Sequence, residues 1–343
     1  MIRHTTKKLL GISLLIMLAL PQVGCTNDSE QEPNTSLHTQ NDAQEPVPAD
    51  TKDIPSEEVP SAAHSEKAIS SRDHTPAVRL PMADGTITYS NPAETAVIDA
   101  SHTEDGYVMV SYTGDNPKVK LQITGSNQIT YSYDLHGNGF ETFPLTSESG
   151  AYTVAVYESL PSSRYSLALS QQIDVTISDA FGPYLYPNQY VDFDASTKAV
   201  TLASDIVSEA ANDLDAVGAI YNYVIQNIAY DYDKANSVQS GYLPNVDDTL
   251  ASKKGICFDY AAIMAAMLRS QNIPTRLEIG YAGESYHAWI STYITEIGWI
   301  NGIIEFDGKN WTLMDPTFAA SSSEKALKKF IGDGSNYSTE FVY

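Results

Sequence analysis

The spacing of hydrophobic residues changes near residue 203, and this change limits the folds that the chain can adopt. Between residues 76 and 176, short runs alternate apolar and polar side chains, with Gly, Asn, Asp and Pro between them. Such alternation is typical of antiparallel strands. The runs are Tyr107–Tyr112, Val119–Ile123, Ile129–Tyr133, Tyr152–Tyr157 and Tyr165–Leu169. Their spacing predicts a small β-sandwich domain, immunoglobulin-like in type, over residues 76–185.

Beyond residue 203 the hydrophobic period lengthens to that of an α-helix. Apolar residues at i, i+3, i+4 and i+7 fall on one face of an amphipathic helix. They are Leu214, Val217, Ile220, Tyr221, Val224, Ile225 and Ile228. Asn212 is the predicted N-cap, and the chain is expected to become extended near Tyr230–Asp233. Residues 186–343 are therefore predicted to form a second domain in which helices and strands are mixed.

The N-terminal segment has the pattern of an export signal. Residues 1–25 combine a basic start, an apolar run from Leu9 to Leu20 and a small residue before Cys25. The run is short for a spanning helix, because crossing a membrane takes about 20 apolar residues. Val23-Gly24-Cys25 resembles a bacterial lipobox, so Cys25 is the predicted lipidation site and the protein is expected to be anchored at the cell surface. Ordinary secretion and an uncleaved anchor are the alternatives.

Acidic residues dominate both the next segment and the whole chain. Residues 26–75 carry 11 acidic and 3 basic side chains and almost no aromatic ones. Such a segment buries too little apolar surface to offset its ordering entropy, so it is predicted to be a disordered acidic linker. The whole chain has 43 acidic and 20 basic residues, a formal charge of −23. This charge argues against nucleic acid or an anionic lipid surface as a partner.

Cysteine usage draws attention to one residue. The chain has two cysteines, and if Cys25 carries lipid, Cys257 is the one remaining thiol and no intramolecular disulfide can form. A single thiol on an exported protein is at risk of oxidation. Its retention therefore indicates either a chemical role or burial as a small core residue.

Cys257 lies at the start of a segment that favours helix. Gly255 can provide a tight turn before it, and the Ala-, Met- and Leu-rich run that ends at Arg269 has strong helix propensity. The amides and dipole of a helix N-terminus favour the thiolate, so the pKa of the Cys257 thiol is expected to lie well below the free value of about 8.5. Lys253 and Lys254 could add positive potential there, although exposed loop lysines are the simpler interpretation.

The segments after this helix are strand-like and carry two further polar residues. The predicted strands are Thr275–Tyr281, Tyr286–Tyr293, Ile303–Phe306 and Trp311–Met314, with a short hairpin at Trp299–Gly302. His287 lies near the start of the second, and Asp315 follows the last, where Pro316 keeps it extended. Together with Cys257 they supply a nucleophile, a base and a carboxylate that orients the base.

Four blocks of sequence resemble the conserved blocks of the transglutaminase-like superfamily, in the same order. They are Gly255–Ala261, Asn272–Arg276, His287–Trp289 and Asp315–Thr317, and the resemblance extends over about residues 205–320. It implies a papain-like α+β fold, in which an N-terminal helix bearing the Cys packs on an antiparallel sheet. It also implies Cys257 as nucleophile, His287 as general base and acid, and Asp315 as the residue that orients the imidazole.

The activity that this resemblance implies is that of a cell-surface thiol enzyme acting on amide bonds. Its substrates would be proteins or peptides, peptidoglycan peptides included, and its intermediate a thioester acyl-enzyme. An amine acceptor would make it a transglutaminase and water a protease or amidase, and the sequence leaves both open. The alternative is a catalytically inert transglutaminase-like domain that binds a cell-surface ligand.

Other candidate roles are weaker. Trp289 and Tyr260 are candidates to line the cleft, with core packing as the alternative for both. No cofactor is predicted. A metal site is not predicted either, because one Cys and one His beyond residue 186 are too few ligands for zinc.

Overall fold

The computed structural model describes residues 72–300 apart from 138, 283 and 296, together with 305–306, 311–312 and 337–343. In these residues strands and helices are mixed. None of the described helices is both long enough and apolar enough to cross a membrane. Cys25, Asp315 and nearly all of the predicted signal and linker segments lie outside the described residues. The lipidation site, the linker and the role of Asp315 therefore stay predictions.

Eight strands form in the region where the sequence predicts antiparallel strands. They are β1 (Thr88–Ser90), β2 (Ala96–Asp99), β3 (Tyr107–Tyr112), β4 (Val119–Thr124), β5 (Thr130–Leu135), β6 (Phe140–Pro144), β7 (Gly150–Leu160) and β8 (Arg164–Val175). All five predicted strands are confirmed. They pair antiparallel in two four-stranded sheets of order β1-β2-β3-β6 and β5-β4-β7-β8. Alternation does not indicate β1, β2 and β6, because these strands are short and their apolar residues do not alternate.

Both sheets contribute side chains to one hydrophobic core. Ile98 and Val110 come from the first sheet and Leu121 and Val154 from the second, and all four are fully buried. Alternate residues of a strand point to opposite faces, which explains why the period-two pattern buries one set of side chains. The immunoglobulin-like sandwich and its boundary at residue 185 stay predictions.

The helices follow in the second half of the described chain. They are α1 (Lys198–Ile206), α2 (Asp213–Asn227), α3 (Tyr232–Ser237), α4 (Val246–Ser252) and α5 (Cys257–Arg269). α2 is the predicted amphipathic helix, and the Asn212 side chain accepts the Asp215 N–H at 2.9 Å, as expected of its N-cap. The expected extended segment is confined to β9 (Ala229–Tyr230), because Asp231 caps α3 by accepting the Lys234 N–H at 2.9 Å.

A third four-stranded antiparallel sheet packs against α5. It contains β11 (Thr275–Ala282), β12 (Ser285–Ile294), β13 (Gly298–Ile300) and β16 (Tyr337–Val342), in the order β13-β12-β11-β16. Two small pairs accompany it: β9 with β10 (Lys254–Gly255), and β14 (Glu305–Phe306) with β15 (Trp311–Thr312). Trp299 lies in β13 and pairs with Tyr293 of β12, so it is a strand residue and the turn precedes it. The rest of the turn or short hairpin predicted at Trp299–Gly302 lies outside the described residues. α5 contacts both β11 and β12, so the helix that begins at Cys257 lies against the sheet that bears His287.

A buried arginine fixes the end of α5. Arg269 is fully buried, and its guanidinium donates to the carbonyls of Thr275 at 2.9 Å, Tyr186 at 2.8 Å and Tyr343 at 2.8 Å. These carbonyls belong to the start of β11, the segment before α1 and the residue after β16. One side chain therefore joins the end of α5 and the start of β11 to two parts of the chain that are more than 70 residues away.

Buried tyrosines are expected to make the fold sensitive to alkaline pH. Burial raises the pKa of Tyr152 and Tyr221 to about 12, and it raises the pKa of Tyr133 and Tyr343 well above 10.0. Because each folded-state pKa exceeds the unfolded one, the stability that the neutral phenol contributes is fully present below about pH 10 and is lost as the pH rises. We expect the free energy of unfolding to fall by about 1.4 kcal/mol per tyrosine per pH unit above that point. Urea denaturation between about pH 8 and 11.5 measures this, and a constant stability across the range would contradict it.

Candidate active site

Cys257 is the first residue of α5. Ile256 before it is extended, with φ −93° and ψ 176°. The parallel pairing of Gly255 with Tyr230 fixes the backbone that leads into the helix. The residue is buried, with 2% of its surface exposed. The predicted helix start is confirmed. Cys257 therefore lies at the positive end of the α5 dipole, which stabilises a thiolate.

Gly255 is required for a different reason than the sequence suggests. Its φ lies outside the left-handed region, so it does not make the tight turn expected of it. The left-handed residue is Lys253, with φ 54°, which ends α4. A Cβ atom on Gly255 would instead lie 2.7 Å from the Cβ of Asp259. The glycine makes room for that side chain, which lies beside the start of α5.

We expect Gly255→Ala to lower the free energy of unfolding by about 1–3 kcal/mol, the usual cost of overpacking. The added methyl group would push Asp259 away from the backbone that it caps. Urea denaturation measures the loss, and Lys254→Ala, at the exposed neighbouring position, is the matched control and should change stability by less than about 0.5 kcal/mol. A Gly255→Ala protein as stable as the unmodified one would show that Asp259 can move without cost.

Asp259 is the centre of a buried polar network at the start of α5. Its side chain is fully buried, and its Oδ2 accepts the Ile256 N–H at 2.8 Å and the Lys234 ammonium at 2.7 Å. Its Oδ1 accepts the hydroxyl of Tyr242, and Lys234 Nζ lies 4.3 Å from the centre of the Tyr242 ring. Burial, and then the hydrogen bond to Asp259, raise the pKa of Tyr242, so this hydroxyl remains a neutral donor. The sequence does not indicate the roles of Lys234 and Tyr242, because they lie in α3 and the loop after it.

His287 lies in β12, directly opposite Gly280 in β11. It is buried, with 7% of its surface exposed, and its ring stacks beside that of Trp289 with 6.5 Å between centroids. Successive strand residues point to opposite faces, so His287 and Trp289 share one face while Tyr286 and Ala288 belong to the hydrophobic core on the other. A Cβ on Gly280 would lie 2.0 Å from the Ser338 carbonyl oxygen. The backbone of β16 is therefore very close to that of β11 at the residue that pairs with His287.

The two candidate cleft residues are buried in the structure. Trp289 is 2% exposed and its indole N–H donates to Glu278 Oε2 at 3.0 Å, while Tyr260 is 1% exposed and its hydroxyl donates to the Ile228 carbonyl. Both side chains thus serve packing in the described part of the chain. A role for them in lining a cleft stays a prediction.

A cavity of about 160 Å³ lies between the strands of the first half and the region around α5. Its wall includes Phe258 and Tyr286, the chain neighbours of Cys257 and His287. Because neighbours in a strand point to opposite faces, the cavity and the His287 imidazole are on opposite sides of β12.

Within the described residues, no cluster of three or more His, Cys, Asp or Glu could hold a metal ion.

The structure thus brings the helix that begins at Cys257 against the strand that carries His287, while Asp315 and Cys25 lie outside the described residues. The pairing of the thiol with the imidazole, and of the imidazole with Asp315, stays a prediction.

Comparison with known families points to this same part of the chain. Residues 200–303 match the model of the Transglutaminase-like superfamily. The matched segment contains Cys257 and His287, and Asp315 lies beyond it. The chain therefore carries a transglutaminase-like superfamily domain.

Individual relatives are distant. Over 197 residues the chain is 25% identical to the uncharacterized protein YebA of Bacillus subtilis, covering 49% of this chain and 26% of the relative. Over 157 residues it is 27% identical to the kyphoscoliosis peptidase of Mus musculus, covering 40% of this chain and 22% of the relative. The chain thus spans about a quarter of the length of these curated relatives. Among solved structures, the periplasmic domain of TgpA from Pseudomonas aeruginosa is 17% identical, with a TM-score of 0.30, covering 71% of this chain and 98% of that one.

Proposed function

We propose that the protein is a thiol enzyme that acts on amide bonds of proteins or peptides, with Cys257 as its nucleophile, His287 as general base and acid, and Asp315 as the residue that orients the imidazole. The observation that carries this proposal is the position of Cys257. It is the first residue of a 13-residue helix, within the segment that matches the transglutaminase-like superfamily. A thiol at a helix N-terminus is a reactive one, because the helix favours its ionised form.

The proposed reaction has two halves. The Cys257 thiolate attacks the amide carbonyl carbon and forms a carbon–sulfur bond, and the carbon–nitrogen bond then breaks as protonated His287 gives its proton to the leaving nitrogen. An acceptor, either water or an amine, loses a proton to His287 and attacks the thioester, which releases the thiolate. The Cys257 backbone N–H, at the helix start, is the first candidate to stabilise the oxyanion that forms in each half.

The acceptor decides between two enzyme classes. Transfer to an amine would make the protein a transglutaminase, and transfer to water a protease or amidase. The mouse relative is named a peptidase, which supports water, whereas the superfamily takes its name from transfer to an amine. Both acceptors are compatible with the proposed residues, so the product is the distinguishing observation.

We also propose that the protein acts at the cell surface, held there by a lipid on Cys25. The support is the sequence of residues 1–25, in which a basic start and an apolar run precede Val23-Gly24-Cys25. Mass spectrometry of the N-terminal peptide from the native host tests this. A mature chain that begins elsewhere than at an acylated Cys25 would reject it.

The pH dependence of thiol alkylation tests the proposed function. We expect iodoacetamide to alkylate Cys257 of the full chain rapidly well below pH 8, measured by mass spectrometry of the peptide that contains it. His287→Ala should lower the rate at about pH 6.5 tenfold or more, because the thiolate loses its cationic partner. His102→Ala is the matched control and should leave the rate unchanged, since His102 bonds to Asp105 among the strands of the first half.

Two results of this experiment would contradict the proposed enzymatic function. Alkylation could be absent, or it could follow an ordinary free thiol, near pH 8.5, in both the unmodified protein and His287→Ala. Either result would favour the alternative function, a transglutaminase-like domain that binds a cell-surface ligand without turnover.

A further inference from the structure

The network at the start of α5 contains a charge that the proposed reaction has to tolerate. Asp259 lies two residues after Cys257, fully buried, and it is fixed there because its carboxylate caps the Ile256 N–H. A buried carboxylate two residues from a thiol disfavours the thiolate even without contact, because two like charges repel and burial strengthens that repulsion. Asp259 caps the start of α5, but its negative charge would therefore lower the reactivity of Cys257 that the helix dipole favours.

Lys234 supplies the opposite charge. Its ammonium lies 2.7 Å from Asp259 Oδ2, and it reaches the carboxylate from α3, a different element of the fold. The lysines next to Cys257 in sequence, Lys253 and Lys254, are exposed and do not enter this network. The compensating cation is thus Lys234, whose side chain is 29% exposed.

The neighbouring groups leave this pair as the main source of charge around the start of α5. Tyr242 is neutral, because burial and Asp259 raise its pKa. From α4, Asp248 acts on Tyr242. From the start of β12 the titratable groups are His287, which the proposed reaction already uses, and Tyr286, whose hydroxyl is neutral because burial raises its pKa.

We propose that Lys234 is a positioning residue for the reaction, which acts by neutralising Asp259 so that Asp259 can cap the helix without suppressing the reactivity of Cys257. This inference rests on the proposed function. The proposed effect is electrostatic. Asp259 and Lys234 together carry no net charge, whereas either residue alone leaves an uncompensated charge at the start of α5. A purely structural role for the pair would predict only that breaking it harms the site.

A double-mutant cycle separates the two roles. The rate of iodoacetamide alkylation of Cys257 is measured against pH in the full chain, in Lys234→Met, in Asp259→Asn and in the double variant. Asp259→Asn keeps an oxygen that can accept the Ile256 N–H. We expect Lys234→Met to slow alkylation at about pH 6.5 roughly tenfold, which corresponds to a shift of about one pH unit in the profile. Asp259→Asn should speed it about three- to tenfold, and the double variant should return to within about threefold of the unmodified rate.

The conservative variant Lys234→Arg keeps the charge and should retain the unmodified profile. If Lys234→Met does not fold, Asp259→Asn decides alone through the midpoint of its pH profile: removal of the charge moves the midpoint to lower pH, whereas a structural loosening that exposes Cys257 changes the rate without moving the midpoint. The proposal is overturned if Asp259→Asn slows alkylation, or if the double variant is slower than both single variants. If either result is found while the unmodified protein shows a fast, His287-dependent profile, the role of Lys234 is rejected and the proposed function is kept. An ordinary free-thiol profile in the unmodified protein would reject the proposed function itself.

Discussion

Replacing Arg269 by methionine is expected to lower the free energy of unfolding by about 3–5 kcal/mol, the usual cost of removing one partner from a buried charged network. Methionine keeps much of the side-chain length but donates no hydrogen bond. The Thr275 and Tyr186 carbonyls would then lose the donor that each now has in Arg269, while the Tyr343 oxygen would keep the Leu277 N–H at 2.9 Å. Each buried acceptor left unpaired costs about 1–3 kcal/mol.

Urea denaturation at neutral pH measures this loss of stability, and two further variants test whether it comes from the hydrogen bonds of Arg269. Arg164→Met is the matched control, because Arg164 is exposed at the start of β8, and it should change stability by less than about 0.5 kcal/mol. Arg269→Lys should fall between the two, since an ammonium keeps the charge but cannot reach three carbonyls with the geometry of a guanidinium. If Arg269→Met loses less than about 1 kcal/mol, water or a shifted main chain replaces these bonds.

Replacing Cys257 by alanine is expected to lower amide-bond turnover at least about a thousandfold, because the proposed route passes through a thioester on this sulfur. The assay offers a glutamine-rich protein and a labelled primary amine, and follows both incorporation of the amine and cleavage of the main chain. Incorporation identifies a transferase, and cleavage identifies a protease.

The other cysteine provides the control for this experiment. Cys25→Ser in detergent-solubilised protein should keep the activity, since Cys25 is assigned to anchoring and not to chemistry. Equal turnover by Cys257→Ala and the unmodified protein would exclude a thioester at this residue. Loss of activity in Cys257→Ala with unchanged urea stability would assign the loss to chemistry.

Local patterns were sufficient to predict much of the fold. The strand β3 begins and ends at the predicted residues, Tyr107 and Tyr112, because alternation along a half-buried strand is visible in a few consecutive residues. The amphipathic face of α2 and its Asn212 cap are visible for the same reason. The helix start at Cys257 follows from the propensities of the residues after it. Where local signals compete, the prediction was wrong: Asp231 starts α3 at a point where the chain was expected to remain extended.

The sequence by itself determined the change from strands to helices, the helix that begins at Cys257 and the order of the candidate residues along the chain, because these depend on side chains within a few positions of one another. The tertiary structure alone decided that Lys234 contacts Asp259 and that Arg269 binds the distant carbonyls of Tyr186 and Tyr343. These contacts join residues on separate elements. Propensity and periodicity describe how one segment folds, but pairing between segments depends on packing them into one core, where a buried charge must find a partner.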